Sequence, residues 1–354
     1  MNRHEQALAI LREGTVIPAI PLVLTEGRQL NEDGQRRLIR YYLHAGAGGI
    51  ATAVHTTQFE IRQPEINLYE PVLRITSQEI EKYEKETGKV VIRVAGVCGP
   101  IEQAVREAQT AKALGYDTVL LSPGGLDEYP DSYLVERTKK VAEVIPVIGF
   151  YLQTACGGRL LDAAYWQAVA NVENVVAIKC ASFNRYQTID LVRGVASSKR
   201  RDRVTLYTGN DDNIVVDLLT PYVFDMGGEH VELRFVGGLL GQWSVWTHSV
   251  VQLYQELRKY HSLSSIPGRL LTRAAEITDC NGAFFDVKHQ FAGCIPGVHE
   301  VLRRQGLMEG TWCLDPEEVL SPGQAEEIDR VLAMYPHLND DAFVKEFLQQ
   351  ESLR

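Results

Sequence analysis

The feature that most limits what this chain can fold into is a repeat of apolar strand and amphipathic helix running from residue 16 to residue 261. The expected strands are Val16–Leu24, Gly49–Val54, Lys89–Gly96, Thr118–Ser122, Pro146–Tyr151, Val175–Lys179, Val204–Thr208 and Glu232–Val236. The expected helices span 32–45, 69–87, 101–114, 131–144, 162–170, 186–197, 212–219 and 244–261. Several of the strands are continuous apolar runs, the pattern of strands buried on both faces, and a helix fills each crossover between parallel strands. Eight such units with short polar connections predict an α/β protein, a closed (β/α)8 TIM barrel. An open doubly wound sheet is the alternative, but no GxGxxG follows the first strand to support it. The eighth unit is the least regular, because Asp225-Met226-Gly227-Gly228-Glu229-His230 leaves its register open. The run Gly237-Gly238-Leu239-Leu240-Gly241 is expected to follow the eighth strand. It reads as a tight turn or as a phosphate cradle of the kind some barrels place there.

The rhythm changes after Ser262. Ser264-Ser265-Ile266-Pro267-Gly268 reads as a linker, and helices are expected over Leu270–Ile277, Gly297–Gln305 and Pro322–Met334. Asp279-Cys280-Asn281-Gly282 carries a turn signal, and a polar tail is expected beyond Pro336. The chain is therefore divided into a catalytic barrel, residues 1–262, and a helical region, residues 263–354, packed on it.

With 354 residues, 45% hydrophobic and 23% charged, the chain can bury a large core. The formal net charge of −10 argues against a nucleic-acid binder, and Lys199-Arg200-Arg201 reads as a solvated turn. No apolar run reaches the roughly 18 residues a membrane span needs. Met1-Asn2-Arg3-His4-Glu5-Gln6 is too polar for a signal peptide. The cysteines at 98, 156, 180, 280, 294 and 313 form no CxxC pair, which suggests reduced thiols and a cytoplasmic protein.

Lys179 ends the apolar run Val175-Val176-Ala177-Ile178. Burial there disfavours the ammonium and lowers its pKa, producing a neutral amine able to attack a carbonyl. The bland alternative is a lysine that snorkels from a strand end to water. Pro146-Val147-Ile148-Gly149-Phe150-Tyr151 ends in a phenol one strand earlier, and the pair suggests Schiff-base chemistry. Cys180 should point to the opposite face of its strand from Lys179, as a core thiol. In a barrel the active site lies at the carboxyl ends of the strands. His55-Thr56-Thr57-Gln58, Ser122-Pro123-Gly124-Gly125, Tyr151, Lys179 and Thr208-Gly209-Asn210-Asp211-Asp212 are then the candidate rim.

These residues resemble the dihydrodipicolinate synthase / N-acetylneuraminate lyase superfamily of Schiff-base class I aldolases over roughly residues 14–260. The points of likeness are Ile17-Pro18-Ala19-Ile20-Pro21-Leu22, Thr56-Thr57, Tyr151, Ile178-Lys179-Cys180-Ala181-Ser182 and Gly209-Asn210-Asp211. The resemblance implies a lyase acting on pyruvate or another 2-oxo acid, an aldolase, retro-aldolase or hydro-lyase. In it Lys179 forms the iminium, Tyr151 shuttles protons, and Thr56 takes part in catalysis. Thr57 and Gly209 bind substrate, and no metal or cofactor is needed. His55 is added as a substrate-binding candidate from its own place beside the threonines. A homo-oligomer, dimer or tetramer, is implied by the same likeness.

The chain also departs from the family. His55 and Gln58 stand where the second-strand motif has glycines. His55 is either an acid–base or hydrogen-bonding group or a wall histidine. Gly124-Gly125 replaces a tyrosine pair, with Tyr129 and Tyr133 as distant substitutes. Cys156 stands where the synthase has an arginine, and Arg159 comes three residues later. These losses argue against dihydrodipicolinate synthase itself. Two other readings stand beside the lyase. One is a metal-dependent barrel using Asp211-Asp212, which read more simply as a helix cap and first-turn acid. The other is a barrel without catalysis that serves binding or regulation.

Overall fold

The structure, a computed structural model, describes residues 1–353. It opens with a helix that the sequence reading did not expect, α1 (Arg3–Glu13). A capping box starts it: the Asn2 side chain accepts from the Glu5 N–H while Glu5 accepts from the Asn2 N–H. Then follow β1 (Val16–Pro18), α2 (Glu32–Ala45), β2 (Gly49–Thr52), α3 (Tyr69–Thr87), β3 (Ile92–Val97), α4 (Ile101–Ala113), β4 (Thr118–Leu121) and α5 (Asp131–Ala142). Next come β5 (Val147–Leu152), α6 (Ala163–Ala170), β6 (Val175–Ala181), α7 (Arg185–Ala196), β7 (Thr205–Thr208) and α8 (Ile214–Leu219). A two-stranded hairpin, β8 (Tyr222–Asp225) and β9 (His230–Leu233), precedes β10 (Phe235–Leu240) and α9 (Thr247–Arg258). The C-terminal helices are α10 (Arg269–Phe284), α11 (Cys294–Arg304), α12 (Gln324–Met334) and α13 (Asp341–Glu351).

Eight of the strands share one sheet in the order β1-β10-β7-β6-β5-β4-β3-β2. The residues directly after β1 close it: Ala19 N–H bonds Leu240 O on one side and Ile20 N–H bonds Ala51 O on the other, both at 3.0 Å. The result is a nearly closed parallel (β/α)8 barrel with helices added at the C-terminus, as the repeat predicted. By its contacts the chain separates into two compact units, Met1–Thr15 with Ile92–Leu239, and Val16–Val91 with Leu240–Arg354.

Helix ends follow local chemistry. The side chains of Asn31, Asp162 and Asn184 accept the first-turn N–H groups of α2, α6 and α7. Gly46 and Gly88 take the left-handed conformation that ends α2 and α3.

Five sequence expectations need correction. The eighth barrel strand is Phe235–Leu240, and most of the expected segment Glu232–Val236 belongs to the hairpin or to the link after it. Gly237-Gly238 therefore lies inside a strand and makes no turn. Gly238 N–H bonds Thr15 O at 3.2 Å, and a Cβ on Gly237 would stand 2.4 Å from that same oxygen. The glycines are there for backbone approach, so the phosphate-cradle reading falls. Asp279–Gly282 is helical, within α10, because the buried face of Ile277, Cys280 and Phe284 outweighs the local turn preference. The polar tail contains α13, whose Val344 and Phe347 are buried. Asp211 and Asp212 do not cap α8; Asn213 occupies the cap position.

Candidate active site

The first unit holds Lys179. β5 and β6 run parallel in a register that pairs Phe150 with Lys179 and Tyr151 with Cys180. Side chains alternate across a strand, so Phe150 and Lys179 share one face of the sheet and Tyr151 and Cys180 share the other. Lys179 Nζ lies 4.3 Å from the centroid of the Phe150 ring. Lys179 is only 8% exposed, and burial pulls its pKa down to about 8, with Asp211 and then Cys156 opposing the shift. The shift leaves a larger share of the amine neutral near neutral pH than in an ordinary lysine.

Gly209 makes room for this amine. Its N–H bonds Cys180 O at 2.6 Å, and a Cβ there would lie 2.3 Å from Lys179 Cε and 2.9 Å from Ala181 Cβ. The residues after β7 are held by Asp217, a fully buried carboxylate that accepts from Thr208, Asn210, Asn213 and Arg185. Cys156, in the turn after β5, accepts from Gln153 Nε2 at 3.4 Å. Burial raises its thiol pKa, the charge of Asp211 adds to the rise, and Lys179 opposes it. Lys179, Asp211 and Cys156 are thus one electrostatic cluster.

Tyr151 stands apart from that cluster. Its ring packs on Trp166 of α6, centroids 5.2 Å apart, and its hydroxyl accepts the Leu161 N–H at 3.3 Å. Burial raises its pKa, partly offset by that bond. The phenol expected to shuttle protons at Lys179 faces the helical layer; the physical reason is the period of two along β5. The residue on the lysine's face is Phe150, which sequence reasoning missed. The signal was present: the alternation that sends Cys180 away from Lys179 also sends its register partner Tyr151 away.

Arg159 and the two distant tyrosines serve the loop after β4. Arg159 donates to Leu126 O (3.3 Å) and Tyr129 O (2.6 Å) and pairs with Asp131. Tyr129 and Tyr133 stack at 4.1 Å, and the Tyr133 hydroxyl accepts the Ile101 N–H.

The second unit holds the threonines. After β2 the chain makes a 3-10 turn, His55–Thr57. Thr56 Oγ1 donates to Ala19 O (2.7 Å) and lies 3.2 Å from Ile20 O, while Thr57 Oγ1 donates to Ile20 O (2.7 Å). Both side chains are buried. Their hydroxyl hydrogens thus point at the carbonyls just after β1 and are engaged before any anion arrives. The N–H groups of Thr57 and Gln58 bond Val54 O and His55 O within the turn. The His55 ring lies edge-on to Phe59 at 6.0 Å. Gln58, where the resemblance has a glycine, takes φ 67° and ψ 127°. A Cβ on Gly241 would sit 3.5 Å from both Phe285 and Thr56 Cγ2, so the end of α10 borders this turn.

The architecture defines a (β/α)8 barrel with a buried lysine on its sixth strand. The Dihydrodipicolinate synthetase family model matches residues 13–222, and the chain belongs to that family. It is 23% identical over 209 residues to 4-hydroxy-tetrahydrodipicolinate synthase of Moorella thermoacetica, covering 58% of this chain and 66% of that one. It is 28% identical over 148 residues to the Clostridium tetani enzyme of the same name, covering 40% of this chain and 49% of that one. The match thus spans about half to two thirds of these relatives. Among solved structures, dihydrodipicolinate synthase from Oceanobacillus iheyensis superposes with TM-score 0.71 at 17% identity, covering 95% of this chain and 100% of that one. YagE from E. coli K12, solved in complex with pyruvate, gives 0.72 at 17% identity, covering 92% and 98%. N-acetylneuraminate lyase from Fusobacterium nucleatum gives 0.67 at 15%, covering 92% and 99%. At these identities the likeness speaks for the fold. No helix among the described residues is long and apolar enough to cross a membrane.

Proposed function

We propose that the protein is a Schiff-base-forming lyase acting on pyruvate or another 2-oxo acid, an aldolase, retro-aldolase or hydro-lyase distinct from dihydrodipicolinate synthase. The observation that carries this reading is the buried Lys179 with its pKa lowered to about 8. Neutral Nζ attacks the ketone carbon, the carbonyl oxygen leaves as water, and an iminium remains. The iminium accepts the electron pair of a breaking bond at the neighbouring carbon, and return of a proton there completes cleavage. Residues 1–262 form the catalytic barrel and 263–354 its helical extension in this reading. Gly209 leaves the amine its space. The family membership, the names of the relatives and the pyruvate bound to YagE support the choice of substrate class.

Phe150 on the lysine's face, where the resemblance implied a phenol, is the support for a distinct specificity. It also favours a second reading, a barrel that captures a 2-oxo acid without turning it over. The family resemblance supports a cytoplasmic homo-oligomer, a dimer or tetramer, which light scattering of the purified protein tests.

Incubation with pyruvate and borohydride should add one reduced adduct at Lys179, absent from Lys179→Ala. No adduct with pyruvate or a panel of 2-oxo acids would sink the Schiff-base reading. An adduct without turnover of any aldol or hydroxy-acid substrate would favour the second.

A further inference from the structure

One buried amide ties together the two chain segments that leave β6 and β7. Asn210 follows β7 and is fully buried. Its Oδ1 accepts the Phe183 N–H at 3.0 Å, in the segment that leaves β6. Its Nδ2 donates to Asp217 Oδ2 at 2.8 Å and lies 3.4 Å from Thr188 Oγ1. Its own N–H bonds Thr208 Oγ1 at 3.2 Å, and that hydroxyl donates to the same carboxylate oxygen at 2.7 Å. A main-chain N–H needs an acceptor and a carboxylate needs a donor, so the bridge calls for a side chain with one of each, which an amide has. Phe183 sits at φ 51°, a conformation that a bulky residue rarely adopts. Such strain persists where the surroundings hold it, and Asn210 supplies one of the bonds that do.

Gly209 lies between Thr208 and Asn210, and both of these donate to Asp217 Oδ2. An added Cβ on Gly209 would stand 2.3 Å from Lys179 Cε and 3.1 Å from Lys179 Cγ, so the methylene chain of the lysine runs against the Gly209 backbone. Whatever fixes Gly209 relative to β6 therefore fixes the direction of the amine. Asn210 does so by bonding the segment after β6 on one side and the carboxylate of α8 on the other. We propose that Asn210 is a positioning residue for Lys179: it locks the exits of β6 and β7 together and so holds the amine in line for the carbonyl carbon. The inference rests on the Schiff-base reading above and adds to it a residue that acts through Gly209. It also separates the two oxygens of Asp217. Oδ2 serves the position of the amine, whereas Oδ1, which accepts from Arg185 and Asn213, serves the starts of α7 and α8.

The test compares wild type with Asn210→Ala and Asn213→Ala. Each variant takes one hydrogen bond from the buried Asp217, so both should unfold at lower urea concentrations than wild type. Asn213→Ala leaves Gly209 and Phe183 tied, and pyruvate with borohydride should trap it at the wild-type rate. Asn210→Ala frees the amine. Misplacement by about 1 Å can cost a hundredfold in rate, so its trapping at saturating pyruvate should fall by at least about tenfold. The pH midpoint of trapping should rise in that variant, because burial is the largest influence on this amine and outweighs the opposing ones of Asp211, Cys156 and Cys180. An unmoved midpoint, or trapping slowed equally in both variants or in neither, would overturn the proposal and leave Asn210 a structural tie. If Asn210→Ala does not fold, Thr208→Val, which removes the hydroxyl that holds the Asn210 N–H, takes its place with the same expected outcome. If wild type itself is not trapped, the Schiff-base reading fails separately. Trace acetylation of Lys179 by acetic anhydride, followed by peptide mass spectrometry from pH 6 to 10, then still reads the amine without any substrate. A midpoint raised in Asn210→Ala alone supports the clamp, and equal midpoints in the two variants overturn it.

Discussion

Lys179 Nζ stands 4.3 Å from the centre of the Phe150 ring, and the two residues are Cα partners across adjacent parallel strands. The negative face of the ring favours a positive nitrogen, whether ammonium or iminium, by about 0.5–2 kcal/mol. It works against the desolvation that lowers the amine pKa. Phe150→Leu should therefore move the pH midpoint of pyruvate trapping downward, by about half to one unit. Trapping rates followed from pH 6 to 10 check this; an unmoved midpoint means that the ring has no electrostatic role. Phe150→Tyr, which places a phenol on the lysine's face, should speed iminium formation.

Tyr151→Phe should behave as a packing variant. It removes the acceptor of the Leu161 N–H and leaves a buried donor unpaired, a loss of about 1–3 kcal/mol. Denaturant unfolding should show that loss, while trapping at Lys179 keeps its wild-type rate. A tenfold slower trapping with unchanged stability would restore Tyr151 to the chemistry.

Gly209→Ala would put a methyl 2.3 Å from Lys179 Cε and 2.9 Å from Ala181 Cβ. The amine has to move, and misplacement by about 1 Å can cost a hundredfold in rate. Trapping should fall by at least about tenfold, with the far-UV circular dichroism spectrum intact. Trapping at the wild-type rate would show that the lysine has other room.

His299 of α11 is fully buried, and burial pushes its pKa down to about 4 against a weaker opposing contact with the Thr311 backbone. An unfolded histidine titrates near 6.5. Between these values the unfolded chain binds the extra proton, so stability falls as pH drops from about 6.5 towards 4, by up to about 3 kcal/mol. His299→Leu should flatten this slope. Urea midpoints at pH 7.0 and 4.5 for both proteins provide the check, and equal slopes would remove His299 as the cause.

The barrel was legible because its signals are local. Apolar runs, helix caps and breakers lie within a few residues of one another, and several helices came out within a residue of their observed ends. Lys179 was legible for the same reason: a charged group closing an apolar run is conspicuous. The eighth strand was obscured because a hairpin, itself a pair of alternating runs, stands directly before it. The turn signal at Asp279–Gly282 was real chemistry overruled by burial of α10. Neither error displaced the lysine, which lies two units earlier.

The sequence by itself determined that eight strand–helix units follow one another and that an amine ends the sixth strand. Only the tertiary structure decided which residue that amine meets. A strand's position along the chain follows from its own composition, whereas the face a side chain occupies relative to its neighbour depends on register between strands some 28 residues apart. A shift of one residue exchanges the faces, and that single step separates the expected phenol of Tyr151 from the observed ring of Phe150.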